Sequence, residues 1–305
     1  MSPVGDRWIL KQFPFDSQRV IDIPVQAVSR APIGSWQGGG VTLELPTATD
    51  LASLLTLDAV SPDAFLAPSG FTGWGRLYGG QVIAQALRAA SLTVSPEQLP
   101  HSLHAYYVRQ GEEPAPVLYE VQRIRDGRSF STRQVVASQQ GGAILTLIAS
   151  FHEPEESEEI LATFIPEGTP SPDDLTDEET PLFFQTRAVR DEFGMATLAW
   201  MRTRESLDND PVLHACALAY LSDEHLLGAA LTGHSLIGDW DNLMTASLDH
   251  ALWFHRPLRV DDWLCFDLSG HGMADARGLS IAKIFDSSGT HVASAAQEAL
   301  ARRRR

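Results

Sequence analysis

Hydrophobic and polar positions along this chain fall into one pattern that is written twice. Over Gly79–Ser91, Val82, Ile83, Ala86, Leu87 and Ala90 recur at helical spacing, and Ala84 and Ala89 keep the surface unusually small. A helix with so small a face can lie close against something flat. The next segments supply it: His101–Arg109, Val117–Ile124, Phe130–Ser138 and Ala143–His152 are rich in Val, Ile, Tyr or Thr. Each is bounded by turn signals such as Asp126-Gly and Gly141-Gly, so each reads as a strand. A second helix is expected over Pro211–Leu231, with Pro211 suited to its first turn. Strands are expected after it over Ser247–His255, Trp263–Gly270, Ser280–Asp286 and Val292–Ala299, and an extra one before it over Ala196–Arg202. The order helix, His-entered strand, strand, strand repeats between Gly79–Phe151 and Asp223–Gln297, about 145 residues apart. His104-Ala-Tyr-Tyr-Val-Arg answers His250-Ala-Leu-Trp-Phe-His, and on the same offset Gly79 stands opposite Asp223. A repeat of this length means two domain-sized units rather than a solenoid, whose periods run to about 20–50 residues.

Punctuation divides the rest. Residues 1–46 carry scattered Pro and Gly with no sustained period and read as a peripheral extension, partly extended or disordered. Ala48–Leu57 reads as a short helix opened by a Thr or Asp cap. The first unit spans 47–152 and the second 181–305. Between them, 153–180 holds eleven carboxylates, no Lys or Arg, and several prolines, the composition of an exposed, weakly structured linker. One helix packed on consecutive antiparallel strands is an α+β arrangement, the sheet wrapping the helix.

A formal net charge of −16 argues against nucleic acid as a partner, since duplex binding needs a basic surface. Cys216 and Cys265 sit in apolar segments outside any metal spacing, as small buried hydrophobes do, and no metal or cofactor is implied. Nothing approaches the ~18 apolar residues of a membrane span, and the N-terminus lacks a signal peptide's apolar stretch. The C-terminus lacks a Ser-Lys-Leu address, so a cytoplasmic location is expected. Arg302–Arg305 reads as a frayed basic tail.

Chemistry-bearing residues are sparse. Asp223 and Asp249 are competing carboxylates, and the spacing of the second from Ser247 puts both on one strand face if alternation holds. Gln297 lies in Val292-Ala-Ser-Ala-Ala-Gln, where small neighbours leave room beside it. Gly79 and Gly80 open a helix, so their amides are free donors for a ligand oxygen such as a phosphate's, or else the pair marks tight packing. Arg109, Arg125, Arg128 and Arg256 are candidate phosphate contacts in an otherwise acidic chain. His104, His250 and His255 read as structural histidines.

Taken in order, Tyr78-Gly-Gly-Gln-Val-Ile-Ala-Gln-Ala-Leu, His101-Ser-Leu-His-Ala-Tyr-Tyr-Val-Arg, Asp126-Gly-Arg-Ser-Phe-Ser-Thr-Arg, Asp249-His-Ala-Leu-Trp-Phe-His-Arg-Pro and Gln297-Glu form a set. That set resembles the acyl-CoA thioesterase II family across about residues 47–305. The resemblance implies a double hotdog, two tandem helix-in-sheet units sharing a continuous sheet, that hydrolyses fatty acyl-CoA to free acid and CoA. It implies a homo-oligomer, a dimer or tetramer. It also implies that Asp223, Ser247 and Gln297 orient an attacking water, with Ser247 standing where the family often has Thr, and it leaves Asp249 a supporting role. Two other readings are weighed against it. A hotdog enoyl-CoA hydratase or dehydratase would carry His five residues after its Asp, where this chain has Gly228. A non-catalytic acyl-CoA binding protein would have no need of carboxylate, hydroxyl and amide together. A serine-nucleophile hydrolase is disfavoured by the absence of a Gly-x-Ser-x-Gly elbow.

Overall fold

A computed structural model describes residues 33–38, 41–235 and 237–304. The expectation of a partly disordered extension falls mostly on residues 1–32, outside the described residues. Strands β1 (Ile33–Gly38) and β2 (Val41–Pro46) pair antiparallel as a separate hairpin. The short helix α1 (Leu51–Leu54) is capped by Asp50, whose side chain accepts from the Ser53 amide at 2.7 Å.

The first unit comprises β3 (Asp58–Ser61), β4 (Ala64–Ala67), α2 (Gly79–Ser91), β5 (Leu99–Tyr107), β6 (Val117–Asp126), β7 (Phe130–Gln139) and β8 (Gly142–His152). The second comprises β9 (Phe184–Arg190), β10 (Ala196–Thr203), α3 (Pro211–Leu221), α4 (Leu226–Leu231), β11 (Leu243–Ser247), β12 (Asp249–Phe254), β13 (Leu264–Ala274), β14 (Arg277–Phe285) and β15 (His291–Arg303). In space the first unit's strands run β3-β4-β6-β7-β8-β5 and the second's, from the far edge, β9-β10-β13-β14-β15-β12. The two orders are the same, so the repeat in the sequence is a repeat in topology. The halves meet where β5 pairs antiparallel with β12, Leu103 opposite Leu252, making one 13-stranded sheet. β3, β4 and β9 are strands that the hydrophobic pattern did not announce, being short or interrupted by polar residues.

Helix α2 is wrapped as expected: Ile83, Ala84, Ala86, Leu87, Ala89 and Ala90 are fully buried. It also packs on α3. Gly80 meets Tyr220 at one end, and at the other Arg88 lies 3.7 Å from Asp210, so the two helices run antiparallel. The pairing of Gly79 with Asp223 across the repeat is therefore not a structural equivalence. Gly79 starts its helix and Asp223 follows the end of the other, and the two are neighbours in space.

Four expectations are corrected. The second helix is not continuous over Pro211–Leu231: it stops at Leu221, turns through Ser222–His225 with His225 left-handed at φ 65°, and resumes as α4. The turn lets α4 press against β13 and β14, where Gly270 and Gly278 admit the Ala229 and Ala230 backbone. The acidic linker is exposed but pinned. Asp177 pairs with Arg187 at 2.6 Å, Glu178 with Arg190 at 2.6 Å, and Glu159 with Arg256. The Arg302 end is a strand rather than a frayed tail, since Arg302 and Arg303 pair with Met244 and Leu243. Strand alternation fails between Ser247 and Asp249. Ser247 lies opposite Ala299 while Ala251 lies opposite Ala296, so one strand carries an extra residue there, a bulge. Among the described residues no helix is long and apolar enough to cross a membrane.

The helix pair sets a test. A Cβ on Gly80 would overlap the Tyr220 carbonyl oxygen, a backbone atom with no rotamer to yield. Gly80→Ala must force α2 and α3 apart, and overpacking of this kind costs about 1–3 kcal/mol. Urea denaturation should show that loss; an unchanged midpoint would mean the helices do not touch here.

Candidate active site

Four elements from both halves converge on one carboxylate. Asp223, in the turn after α3, has a side chain only 7% exposed. Its Oδ2 accepts from the Gly80 N–H at 2.8 Å, so it serves as the missing cap of α2, whose own cap residue Tyr78 makes no side-chain capping bond. Its Oδ1 accepts from Gln297 Nε2 on β15 at 2.6 Å and from the Tyr107 hydroxyl at the end of β5 at 3.3 Å. Burial raises the Asp223 carboxyl above its ordinary range, and the Gln297, Gly80 and Tyr107 donors and the Arg76 charge pull it back. Burial first, and Asp223 second, hold the Tyr107 hydroxyl protonated far above neutral pH.

Gln297 is completely buried in mid-strand, not at an exposed strand end. Its amide orientation follows from its partners, because only the NH2 end can face a carboxylate. That leaves Oε1 inward, buried and without a hydrogen-bond partner among the described residues. Ser247 lies opposite Ala299, two residues from Gln297, so Ser247 and Gln297 share one face of the sheet. Ser247 makes no direct hydrogen bond to Asp223 or Gln297 among the described residues. His250 on β12 lies behind Gln297, its Nδ1 3.3 Å from Gln297 Nε2. Burial pushes its imidazolium down to about 4, so the ring is neutral near pH 7.

The rival carboxylate has a partner of its own in the sheet. Asp249 Oδ1 accepts from the Glu298 N–H at 2.7 Å, filling the ladder position that the bulge leaves open. Asp249 is thereby committed to the sheet.

The glycines and arginines divide. Gly80 does not offer its amide to a ligand, because Asp223 takes it. Gly79 has no room for a side chain: a Cβ would lie 2.6 Å from the Tyr107 hydroxyl and 2.7 Å from Asp223 Oδ2. Arg109 is exposed two residues beyond Tyr107, donating to the Gly141 carbonyl. Arg128 lines a surface cleft with Glu97, Asp126 and Glu153 at the Leu99 end of β5, roughly 25 Å along the strand from Tyr107. Arg256 follows the far end of β12, and its guanidinium binds Glu159, the Ile160 carbonyl and the His291 carbonyl. Neither Arg128 nor Arg256 reaches the Asp223 cluster. Sequence reasoning missed Tyr107 and Arg76. Tyr107 stood within a quoted strand with nothing to single it out, and Arg76 lies in an irregular loop where no period marks it.

Two helix-in-sheet units of one topology sharing a continuous sheet define a double hotdog. The family model for acyl-CoA thioesterase matches residues 174–300, and that for the acyl-CoA thioesterase N-terminal domain matches 67–152. Acyl-CoA thioesterase 2 of Haemophilus influenzae is 31% identical over 279 residues, covering 83% of this chain and 97% of that protein. Acyl-coenzyme A thioesterase 8 of Homo sapiens is 31% identical over 287 residues, covering 83% and 88%. The crystal structure of an acyl-CoA thioesterase II from Mycobacterium marinum superposes with a TM-score of 0.74 at 36% identity, covering 83% and 98%. A hot dog fold protein from Alicyclobacillus acidocaldarius, 18% identical at TM-score 0.68, covers 83% and 97% and shares the fold. The chain belongs to the acyl-CoA thioesterase family and is a thioester hydrolase.

Glu224, next to Asp223, yields a pH-dependent prediction. Burial first, then the Asp223 and Glu178 charges, push its carboxyl up to about 7. A carboxyl raised on folding favours the protonated form, so its stabilising effect is full below the unfolded value and is lost as pH rises through about 7. Glu224→Gln should therefore be more stable than the parent at pH 8, by about 1–2 kcal/mol once solvent screening is allowed for, and should match it only below the unfolded value, at about pH 4. Denaturation midpoints at the two pH values measure this.

Proposed function

We propose that the chain hydrolyses fatty acyl-CoA to free acid and CoA by direct attack of a water on the thioester carbonyl. One observation carries the mechanism: the unpartnered, buried Gln297 Oε1 sits beside the buried Asp223 carboxylate. A water accepted there donates one hydrogen to Gln297 Oε1 and the other to Asp223. The Ser247 hydroxyl, on the same face, is a third group to hold it. Asp223 takes the proton as the water oxygen bonds to the carbonyl carbon. The Gly79 N–H, in the first turn of α2 where helix amides lack intrahelical acceptors, meets the developing oxyanion. Collapse breaks the carbon–sulfur bond and releases the thiolate, a good leaving group. Arg76 and Arg109, exposed on the loops around Gly79 and Tyr107, are suited to the CoA phosphates.

No acyl-enzyme forms in this scheme. Among the described residues no histidine bonds Ser247. Ser222 does pair with His250 Nε2 at 2.9 Å, but Ser222 is fully buried and its hydroxyl donates to the Ala219 carbonyl at 3.2 Å. Assembly into a homo-oligomer is part of the same proposal, supported by Tyr106, Ile148 and Trp253 exposed on the outer sheet face at the junction of the halves.

Release of CoA from a panel of acyl-CoAs, followed with a thiol-reactive dye, tests the reading. Asp223→Asn should lower kcat by about 10²–10⁴ while substrate binding survives, and Gln297→Ala should cost less. Asp249→Asn should lower stability more than kcat. Because the base must be ionised, wild-type kcat should fall as pH drops through the raised Asp223 value. Near-normal turnover by Asp223→Asn, or an acyl group trapped on Ser247, would refute the mechanism.

A further inference from the structure

His250 is 1% exposed, and the water attack as written gives it no task. Both ring nitrogens nevertheless have polar partners. Nδ1 lies 3.3 Å from Gln297 Nε2, and Nε2 lies 2.9 Å from Ser222 Oγ. Asp223 Oδ1 is farther from Nδ1, at 4.0 Å, with the Gln297 amide closer to each than they are to one another.

Donor and acceptor rules give this chain of groups a single direction. The Gln297 NH2 has two hydrogens and no lone pair to offer. One hydrogen goes to Asp223 Oδ1, leaving the other for His250 Nδ1. Nδ1 must then be bare, and the ring proton sits on Nε2. From there it is donated to Ser222 Oγ, whose own hydrogen goes to the Ala219 carbonyl at 3.2 Å. The far end of the chain is a backbone carbonyl of α3, which cannot switch roles.

We infer that His250 is a positioning residue for the hydrolysis: its bare Nδ1, kept bare by Ser222, locks the Gln297 amide so that both hydrogens face protein and Oε1 faces the attacking water. The inference rests on the water-attack reading above. It also explains why a buried histidine beside an aspartate is not the base. Its nitrogens are both occupied by protein groups, and burial disfavours its charged form. Without the Nδ1 acceptor, the second Gln297 hydrogen has no partner in a dry interior. The Asp223 bond still keeps the NH2 end toward the carboxylate, but the amide plane can rock about that one bond and Oε1 loses its fixed aim.

Three measurements test it. His250→Phe keeps a ring of similar size and removes the acceptor. It should lower kcat about 10- to 100-fold, the range typical for groups that orient a functional side chain, with KM within about 3-fold. His250→Asn offers an amide oxygen near the Nδ1 position and should recover most of that loss, which a volume-filling role would not explain. In a Gln297→Ala background, His250→Phe should cost less than about 3-fold further, because groups acting through one another are not additive. Nitrogen NMR of the wild-type chain labelled at its 10 histidines should show His250 as the Nε2–H tautomer, and this readout needs no folded variant. An Nδ1–H tautomer would overturn the inference, as would a full multiplicative loss in the Gln297→Ala background. Wild-type turnover by His250→Phe alongside an inactive Asp223→Asn would overturn it and leave the hydrolytic reading standing. An active Asp223→Asn would instead remove the reading on which it rests.

Discussion

The hydrogen bond from the Gly80 amide to Asp223 is the constraint on which the site depends. It crosses from one half of the chain to the other and holds a buried carboxylate at the positive end of a helix, where the helix dipole favours negative charge. Desolvation alone would drive that carboxyl to its neutral form. Gln297, the α2 terminus and Tyr107 oppose the drive, and the net result is a carboxyl held above its ordinary range. This arrangement requires α2 and α3 to run antiparallel in close contact, which in turn requires glycine at Gly79 and Gly80.

The sheet supplies the second requirement, a fixed register. Pairing of β5 with β12 places Tyr107 and His250 on neighbouring strands of different halves. The bulge before β12 then changes what faces inward, turning Ser247 toward the Gln297 face and leaving the Asp249 carboxylate to bond the Glu298 amide. The doublet needs both halves, since neither alone contains the carboxylate together with its helix cap.

A linker rich in carboxylates fits the same economy of charge. Its acidic residues pair with Arg187, Arg190 and Arg256, so segment 153–180 is fastened along the second half despite its exposure. The Arg256 guanidinium is thereby occupied by Glu159 and by the Ile160 and His291 carbonyls. Each such surface pair contributes little alone, about 0–1 kcal/mol, and the fastening comes from several together.

The sequence by itself determined the α+β class, the doubling, both helix starts and most of the long strands. These follow from periods of 3.6 and 2 and from Gly, Pro and Asp punctuation, which act over a few residues. The ordered motifs carried the family resemblance and, with it, Asp223, Ser247 and Gln297. Local pattern could not show that the helix breaks after Leu221, because the apolar run continues through Leu226–Leu231 and nothing local marks His225 as left-handed. Nor could it separate Asp223 from Asp249, since a bulge depends on the partner strand. Tyr107, His250 and the two glycines took their roles only when tertiary structure brought the end of one helix against the start of another. Contacts between residues 47 to 143 positions apart leave no mark in the spacing along a chain, and the Asp223 cluster is made of such contacts.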